Sequence, residues 1–237
     1  MENNNLIKYF IYFFFFNMNN INQSFNIKII VIGNSNTGKT SFVKYWTKQH
    51  FYEKYKATIT SEFEYKIMKI KDKIYRINVW DLGGQDNNIH LQKLFTKDCN
   101  CVIIFSDLNE DNLKATLKWK KIFLNLYEKF NFPIVCIQNK IDLVDEEKIK
   151  EIEMKFNCFW KENGFNFGFL TSAKKGKNVN ESMNFIINEI DKKLEENYLN
   201  IIKNNNENNK NLIIEEENKN FLLNLEKKQS KNKKNCC

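Results

Sequence analysis

The chain has 237 residues, of which 42% are hydrophobic and 28% charged, a mixture that fills a core and excludes a wholly disordered chain. Its formal net charge of +8 suits a phosphate-rich ligand, a nucleic acid or an anionic membrane surface, without choosing among them. No stretch reaches the roughly 18 consecutive apolar residues that a membrane-spanning helix needs.

Composition divides the chain into three regions. Residues 1–26 combine Asn-rich stretches with an aromatic run, and residues 27–195 alternate between strand-like and helix-like patterns. In residues 196–237 Asn, Lys and Glu dominate, so that little apolar surface offsets the entropy of ordering. We therefore expect an N-terminal extension, a folded domain and a disordered tail. The extension would be shorter if Met18 is the true start of the chain.

The middle region predicts an α/β fold. Apolar β-branched or alternating runs predict strands at 27–32, 62–70, 74–80, 101–105, 134–137 and 168–171. Helical periodicity predicts helices at 39–48, 113–129, 145–163 and 179–195. Such alternation predicts a mostly parallel sheet that binds ligands at the carboxyl ends of its strands. The hairpin at residues 71–73 would supply one antiparallel edge strand.

The first strand and the first helix flank a phosphate-loop pattern: Gly, four residues, then Gly-Lys-Thr. Glycines let backbone N–H groups curl around a phosphate, and the helix N-terminus adds positive potential. Lys39 would reach the β- and γ-phosphates, and the Thr40 hydroxyl would ligate Mg²⁺. The residues predicted to bind phosphate are Gly33, Asn34, Ser35, Asn36, Thr37, Gly38, Lys39 and Thr40.

A second motif, WDLGGQ, ends the third strand. Asp81 is a carboxylate that would face the phosphate loop and hold the hydration shell of Mg²⁺. Gly84 offers a backbone N–H to a γ-phosphate with no side chain in the way. The amide of Gln85 can donate to and accept from an attacking water. We therefore interpret Gln85, together with Lys39, as catalytic.

Two further segments, residues 139–142 and 171–174, each follow a predicted strand and together indicate guanine. The Asp142 carboxylate can accept two N–H groups of the base, a donor pattern that adenine lacks at that edge. Lys140 can lie along the base, and the Ala173 amide can donate to the guanine oxygen. The residues predicted to contact the base from these segments are Asn139, Lys140, Asp142, Ser172, Ala173 and Lys174.

Through these motifs, residues 27 to about 194 resemble a small GTPase of the Ras superfamily, and most of all its Rab branch. The resemblance implies the P-loop NTPase small-GTPase fold, with a six-stranded, mostly parallel sheet and helices on both faces. By the same resemblance Phe51 packs beside the guanine base. Thr58 matches the switch I threonine that ligates Mg²⁺ when a γ-phosphate is present.

The resemblance also implies an effector surface and a lipid anchor. Phe63, Trp80 and Phe95 align with an aromatic triad that Rab proteins present to effectors. The terminal Cys236 and Cys237 match the double-cysteine ending on which many Rab proteins receive two geranylgeranyl groups. Two lipid chains are physically coherent here, because stable membrane anchoring generally takes two signals.

The implied function is a GTP/GDP-cycling switch in vesicle trafficking, with Mg²⁺ as cofactor and slow GTP hydrolysis until an activating protein binds. The resemblance further implies an exchange factor, effectors, prenylation machinery and a dissociation inhibitor as partners. We expect a monomer on the cytoplasmic face of an intracellular membrane, cycling with the cytosol, and no nucleic-acid partner.

Two departures from the family pattern leave alternatives open. Asn36 stands where glycine or alanine is common, although Asn tolerates a left-handed backbone better than most residues. Leu82 and Gly83 are closer to the Arf branch. The alternatives are a guanine-nucleotide-binding scaffold with little or no hydrolysis, and an Arf-like or Ras-like switch. The double-cysteine ending argues against the Arf form.

Overall fold

The computed structural model describes residues 25–53, 58, 60–84, 97–127 and 130–200. The predicted site residues Gln85, Phe95, Cys236 and Cys237 lie outside these ranges. Two compact units divide the chain, Met1–Ile190 and Asp191–Cys237; the second is described over residues 191–200, which are helical. The boundaries that composition places after residues 26 and 195 stay predictions.

Six strands of the first unit form one sheet in the order β2-β3-β1-β4-β5-β6. β2 pairs with β3 in antiparallel fashion at one edge, and the other four strand pairs are parallel. The prediction of a mostly parallel six-stranded sheet with one antiparallel edge strand is therefore confirmed. The strands are β1 (Phe25–Gly33), β2 (Ser61–Ile70), β3 (Lys73–Leu82), β4 (Cys101–Ser106), β5 (Ile134–Gln138) and β6 (Phe167–Leu170).

Four α-helices connect or follow these strands within the described part of the first unit, and a 3-10 helix (Ile141–Leu143) follows β5. The α-helices are α1 (Lys39–Lys48), α2 (Glu110–Leu126), α3 (Glu146–Glu162) and α4 (residues 179–190). Each agrees with a predicted helix, although α2 begins three residues before the predicted start at 113. No helix in the described ranges is long and apolar enough to cross a bilayer.

One face of the sheet is covered by α2 and α3. Trp119 and Phe123 of α2 and Phe156 of α3 are buried in one cluster with Ile30 of β1 and Ile104 of β4. Successive strand side chains point to opposite faces, so the even-numbered residues of β1 and β4 form this layer. Complete burial of each of these large side chains contributes about 1.5–3 kcal/mol to the hydrophobic stabilisation of the fold.

The opposite face is covered by α1 and α4. The Phe42 ring of α1 packs edge-on against Phe105 of β4, with 5.1 Å between ring centroids. Phe185 of α4 lies 4.9 Å from Phe167 of β6. All six residues of β4 are buried, because helices cover both of its faces. This two-sided packing gives the loops at the carboxyl ends of the strands a rigid support.

Candidate nucleotide site

A cavity of about 290 Å³ lies at the carboxyl ends of the parallel strands. The same cavity is lined by the phosphate loop, by Phe51 and Thr58, and by both predicted guanine segments. The predicted site residues among its lining are Ser35, Asn36, Gly38, Lys39, Thr40, Phe51, Thr58, Gly84, Asn139, Lys140, Asp142, Ala173 and Lys174. Gly33, Asn34, Thr37, Asp81 and Ser172 are not part of the lining.

The phosphate loop joins the end of β1 to the start of α1, and its glycines are required by space and backbone geometry. Gly33 and Gly38 have φ angles of 138° and 90°. A Cβ at Gly33 would collide with the Phe105 carbonyl, and one at Gly38 with the Asn139 amide. Asn36 has a φ of 61°, in the left-handed region that Asn tolerates better than most residues.

Lys39 is held inside the curve of this loop. Its Nζ donates hydrogen bonds to the carbonyl oxygens of Gly33 and Asn34, both at 2.9 Å. Burial lowers the pKa of Lys39, and the negative charge of Asp81 offsets part of this effect. A buried ammonium group in a loop of backbone N–H groups is well placed to bind the phosphates of a nucleotide.

Three oxygen-bearing side chains converge beside the loop. The Thr40 hydroxyl lies 2.8 Å from the Thr58 hydroxyl and donates to Oδ2 of Asp81. Asp81 is only 1% exposed, and its Oδ1 has no hydrogen-bond partner in the described part of the chain. Burial raises the pKa of Asp81 to about 6, although Thr40 and Lys39 act in the opposite direction. Two hydroxyls and an underpartnered buried carboxylate form the hard oxygen set that Mg²⁺ prefers, so these residues fit the ion.

The end of β3 reaches the phosphate loop at Gly84. A Cβ on Gly84 would collide with backbone atoms of Gly33, Asn34 and Ser35. The backbone at this point therefore lies directly beside the loop, where the sequence places the γ-phosphate. Gln85 follows Gly84 in the chain, and its catalytic role stays a prediction.

Asn139 joins the loops that follow β1, β5 and β6. It is 2% exposed, and its Nδ2 donates to the Thr37 carbonyl at 3.1 Å. Its Oδ1 accepts from the Thr171 hydroxyl at 3.1 Å and from the Ala173 N–H at 3.0 Å. A guanine oxygen would therefore share the Ala173 N–H with Asn139. Asn139 therefore connects the phosphate and base halves of the cavity by hydrogen bonds.

Asp142 and Lys140 are each oriented by a polar neighbour. Oδ1 of Asp142 accepts from the Ser172 hydroxyl at 2.5 Å, and the same hydroxyl oxygen accepts from the Lys175 N–H at 3.0 Å. Nζ of Lys140 donates to Oδ2 of Asp107 at 3.0 Å. The two side chains that the sequence assigns to guanine recognition are thus fixed by hydrogen bonds at the cavity wall.

Sequence reasoning missed three residues behind the cavity. Besides Asp107, these are Asn112 and Trp119 of α2, whose side chains both contact Asn34 of the phosphate loop. Asp107 had a detectable signal, because it directly follows the buried strand β4 at the edge where ligands bind. Asn112 and Trp119 lie within a helix and gave no such signal.

Two members of the predicted effector triad are neighbours. The Phe63 and Trp80 rings have centroids 4.9 Å apart, on the antiparallel strands β2 and β3. Phe63 is 43% exposed, whereas Trp80 is partly buried against the α2 and α3 side of the core. Neither residue lines the cavity. Their use by effectors stays a prediction.

Comparisons with known proteins agree with this geometry. The family model described as Ras family matches residues 28–192. The Ras-related protein Rab7 of Pisum sativum is 33% identical over 167 residues, which cover 68% of this chain and 80% of the relative. The Ras-related protein Rab-7L1 of Homo sapiens is 32% identical over 165 residues, with the same shares of 68% and 80%. The Ras-related protein RABG3f of Arabidopsis thaliana is 32% identical over 164 residues, again with 68% and 80%.

Proposed function

Because the chain belongs to the Ras family of small GTPases, and within it to the Rab branch, we propose that it is a membrane-associated switch that recruits effectors in vesicle trafficking. Family membership establishes a GTPase in general terms, and Rab-named relatives support the trafficking role. The observation that carries the proposal is a single cavity where the phosphate loop, Thr58 and both guanine segments meet.

In the proposed complex, backbone N–H groups of the phosphate loop and the Lys39 ammonium bind the β- and γ-phosphates. Thr40 and Thr58 would ligate Mg²⁺, and Asp81 would hold its water shell. When bound, the ion neutralises charge on the phosphates. Thr58 contacts the Thr40 hydroxyl, so the segment around Thr58 can respond to the γ-phosphate and signal its presence.

For hydrolysis, we assign Gln85 to orient the water that attacks the γ-phosphorus while the bond to the bridging oxygen breaks. Arg76 is the only arginine in the sequence. Its guanidinium lies over the Tyr65 ring, 4.4 Å from the centroid, and Arg76 does not line the cavity. The chain therefore brings no arginine of its own to the phosphates. We expect slow turnover until an activating protein supplies one.

Membrane attachment in this proposal uses the end of the chain. Cys236 and Cys237 would each carry a geranylgeranyl group, and the lysines at 227–234 would favour anionic lipid. An exchange factor, a dissociation inhibitor and prenylation machinery complete the expected partner set. The switch would then cycle between the cytosol and the cytoplasmic face of an intracellular membrane.

The alternative of a non-cycling scaffold rests partly on Asn36. The left-handed backbone at this residue, with φ 61°, is one that Asn adopts at low cost, so the substitution does not distort the loop. The loop geometry therefore supports nucleotide binding, which the switch and the scaffold both require, and a hydrolysis measurement distinguishes them.

Single-turnover hydrolysis by the Gln85→Leu variant tests the proposal. A switch predicts that the variant retains GTP affinity and hydrolyses GTP at least about tenfold more slowly, since only water orientation is lost. GTP affinity measured on the same preparation is the control. Equal hydrolysis rates for the variant and the wild type would refute the role of Gln85. A wild type that binds GTP and never converts it, even with activating proteins, would favour the scaffold.

A further inference from the structure

Behind the nucleotide cavity, five side chains form a continuous line of hydrogen bonds, here called the Asp107 relay. Nε1 of Trp119 donates to Oδ1 of Asn34 at 2.9 Å, and Nδ2 of Asn34 donates to Oδ1 of Asn112 at 2.8 Å. Nδ2 of Asn112 donates to Oδ1 of Asp107 at 2.9 Å. Nζ of Lys140 donates to Oδ2 of the same carboxylate at 3.0 Å.

The chemistry of its members fixes the direction of the relay. An indole N–H and an ammonium group only donate, and an ionised carboxylate only accepts. The amides of Asn34 and Asn112 therefore have one orientation each that satisfies both neighbours. Although burial raises the pKa of Asp107, hydrogen bonds from Asn112 and Lys140 hold it below its ordinary value. Within the relay, Asn112 and Lys140 donate directly to the Asp107 carboxylate.

Two members of the relay belong to different halves of the nucleotide site. In the phosphate loop, the Asn34 carbonyl accepts from the Lys39 ammonium and from the Thr37 hydroxyl, both at 2.9 Å. Lys140 lines the cavity at the position assigned to the base. A displacement of Asn112 would therefore disturb the phosphate loop and Lys140 together.

We infer that Asn112 and Asp107 are positioning residues, which couple the phosphate loop to Lys140 and thereby prolong the lifetime of bound guanine nucleotide. The inference rests on the proposed nucleotide site and goes beyond it, because neither residue contacts the cavity. Asn112 lies in the first turn of α2, where the Asn109 side chain caps the helix. The Asn112 side chain is connected to the site by its hydrogen bonds to Asn34 and Asp107.

The release of a fluorescent GDP from the full-length chain tests this inference. Asn112→Asp places a second carboxylate against Asp107, where a hydrogen-bond donor is needed. The helix itself should tolerate the change, because a negative charge in its first turn interacts favourably with the helix dipole. We expect release to accelerate at least about tenfold, the effect of losing a hydrogen bond to a charged group. Asn125→Asp is the matched control, because Asn125 is an exposed residue of the same helix, outside the relay. Its release rate should equal that of the wild type.

A charge swap separates positioning from a general loss of stability. In the variant Asn112→Asp with Asp107→Asn, the new amide at position 107 donates to the new carboxylate at 112. That carboxylate still accepts from Asn34, and the oxygen of the new amide faces Lys140. The swap loses the bond from the Asn109 N–H, which the structure places 3.1 Å from Oδ1 of Asp107. Restoration is therefore partial, with release at least about threefold slower than in Asn112→Asp alone.

Unchanged release in Asn112→Asp, or a swap that is no slower than the single variant, would overturn the inference. If Asn112→Asp does not fold, Asp107→Asn takes its place, because it keeps the size of the side chain and removes the charge that accepts from Asn112 and Lys140. Release should then accelerate about threefold, and an unchanged rate would overturn the inference. A wild-type chain that binds no GDP would overturn the proposed function, and this inference with it.

Discussion

At the residue scale, the Asp81 carboxylate combines burial with an unsatisfied oxygen. It is 1% exposed, and its Oδ1 lacks a hydrogen-bond partner in the described part of the chain. A buried carboxylate of this kind is costly unless a cation or a hydrogen-bond donor compensates it. Because the hydroxyls of Thr40 and Thr58 lie beside this carboxylate, we propose that a divalent ion compensates it.

Chelation of Mg²⁺ should accelerate GDP release from the wild-type chain by about tenfold to a hundredfold, because the phosphates lose the ion that neutralises them. The measurement is the release of fluorescent GDP with and without excess chelator. In Asp81→Asn the chelator should have a smaller effect, since the ion is already held less firmly. A wild-type release rate that does not respond to chelation would contradict the assignment.

We propose that Asp142 selects guanine, because a carboxylate can accept both N–H groups at the guanine edge. Asp142→Asn should weaken GDP binding about a hundredfold and favour xanthosine diphosphate, which presents a carbonyl where guanine presents an amino group. Competition against fluorescent GDP measures both effects. Asp145→Asn is the matched control, since Asp145 caps α3 and Asn caps equally well. Unchanged base preference in Asp142→Asn would contradict the assignment.

The sequence predicted which residues line the site, but not which neighbours orient them. The motif positions predicted to bind phosphate and guanine do meet around one cavity or directly behind it. The partners that orient them could not be predicted, because Asn34 and Trp119 lie 85 positions apart and meet only through the packing of α2 on the sheet. The hydrogen-bond partner of a polar side chain is set by the tertiary structure and is not visible in a local sequence pattern.

At the element scale, the segment that follows β3 lies close to the backbone of the phosphate loop. A Cβ on Gly84 would collide with backbone atoms of Asn34 and Ser35, and backbone yields less readily than a side chain. The collision lies where the γ-phosphate is expected, so it would disturb GTP binding more than GDP binding.

Gly84→Ala should therefore lower the ratio of GTP to GDP affinity at least about tenfold. Calorimetric titration with a non-hydrolysable GTP analogue and with GDP measures this ratio. Asp72→Ala is the control, because Asp72 is an exposed residue of the turn between β2 and β3 and does not line the cavity. Equal losses of GTP and GDP affinity in Gly84→Ala would show that the contact does not discriminate the γ-phosphate.

The accuracy of the predicted helix and strand boundaries depended on how far the hydrophobic pattern extends along each element. The predicted helix 113–129 corresponds to α2, which begins at Glu110. The first turn is polar and carries no apolar periodicity, so the pattern missed it. The Asn109 side chain accepts from the N–H groups of Asp111 and Asn112 and fixes the start. Strand bounds agreed more closely, because buried strands are apolar almost to their ends.

At the scale of the whole molecule, alternating patterns predicted an α/β sheet and its antiparallel edge. The sequence did not predict the strand order β2-β3-β1-β4-β5-β6, which the structure supplies. The cavity unites segments far apart in sequence, as Thr37 and Asn139 are joined across 102 positions. The motifs predicted this meeting because each follows a strand of one parallel sheet.

The lipid anchor is a prediction about the whole chain. After incubation with prenylation machinery, the wild type should float with anionic vesicles. Cys236→Ser with Cys237→Ser should remain unbound, and either single change should bind weakly, because one lipid chain gives only marginal affinity. Cys158→Ser is the control, since Cys158 is an exposed cysteine of the folded domain. Vesicle binding by the double variant equal to that of the wild type would contradict the proposed anchor.

The most direct test of the central claim is the identity and fate of the nucleotide carried by the purified full-length chain. Bound nucleotide is released, separated by chromatography, and replaced by GTP for one turnover. We expect a guanine nucleotide, followed by slow conversion of GTP to GDP that an activating protein accelerates. A chain that carries no guanine nucleotide and takes up none from solution would contradict the central claim.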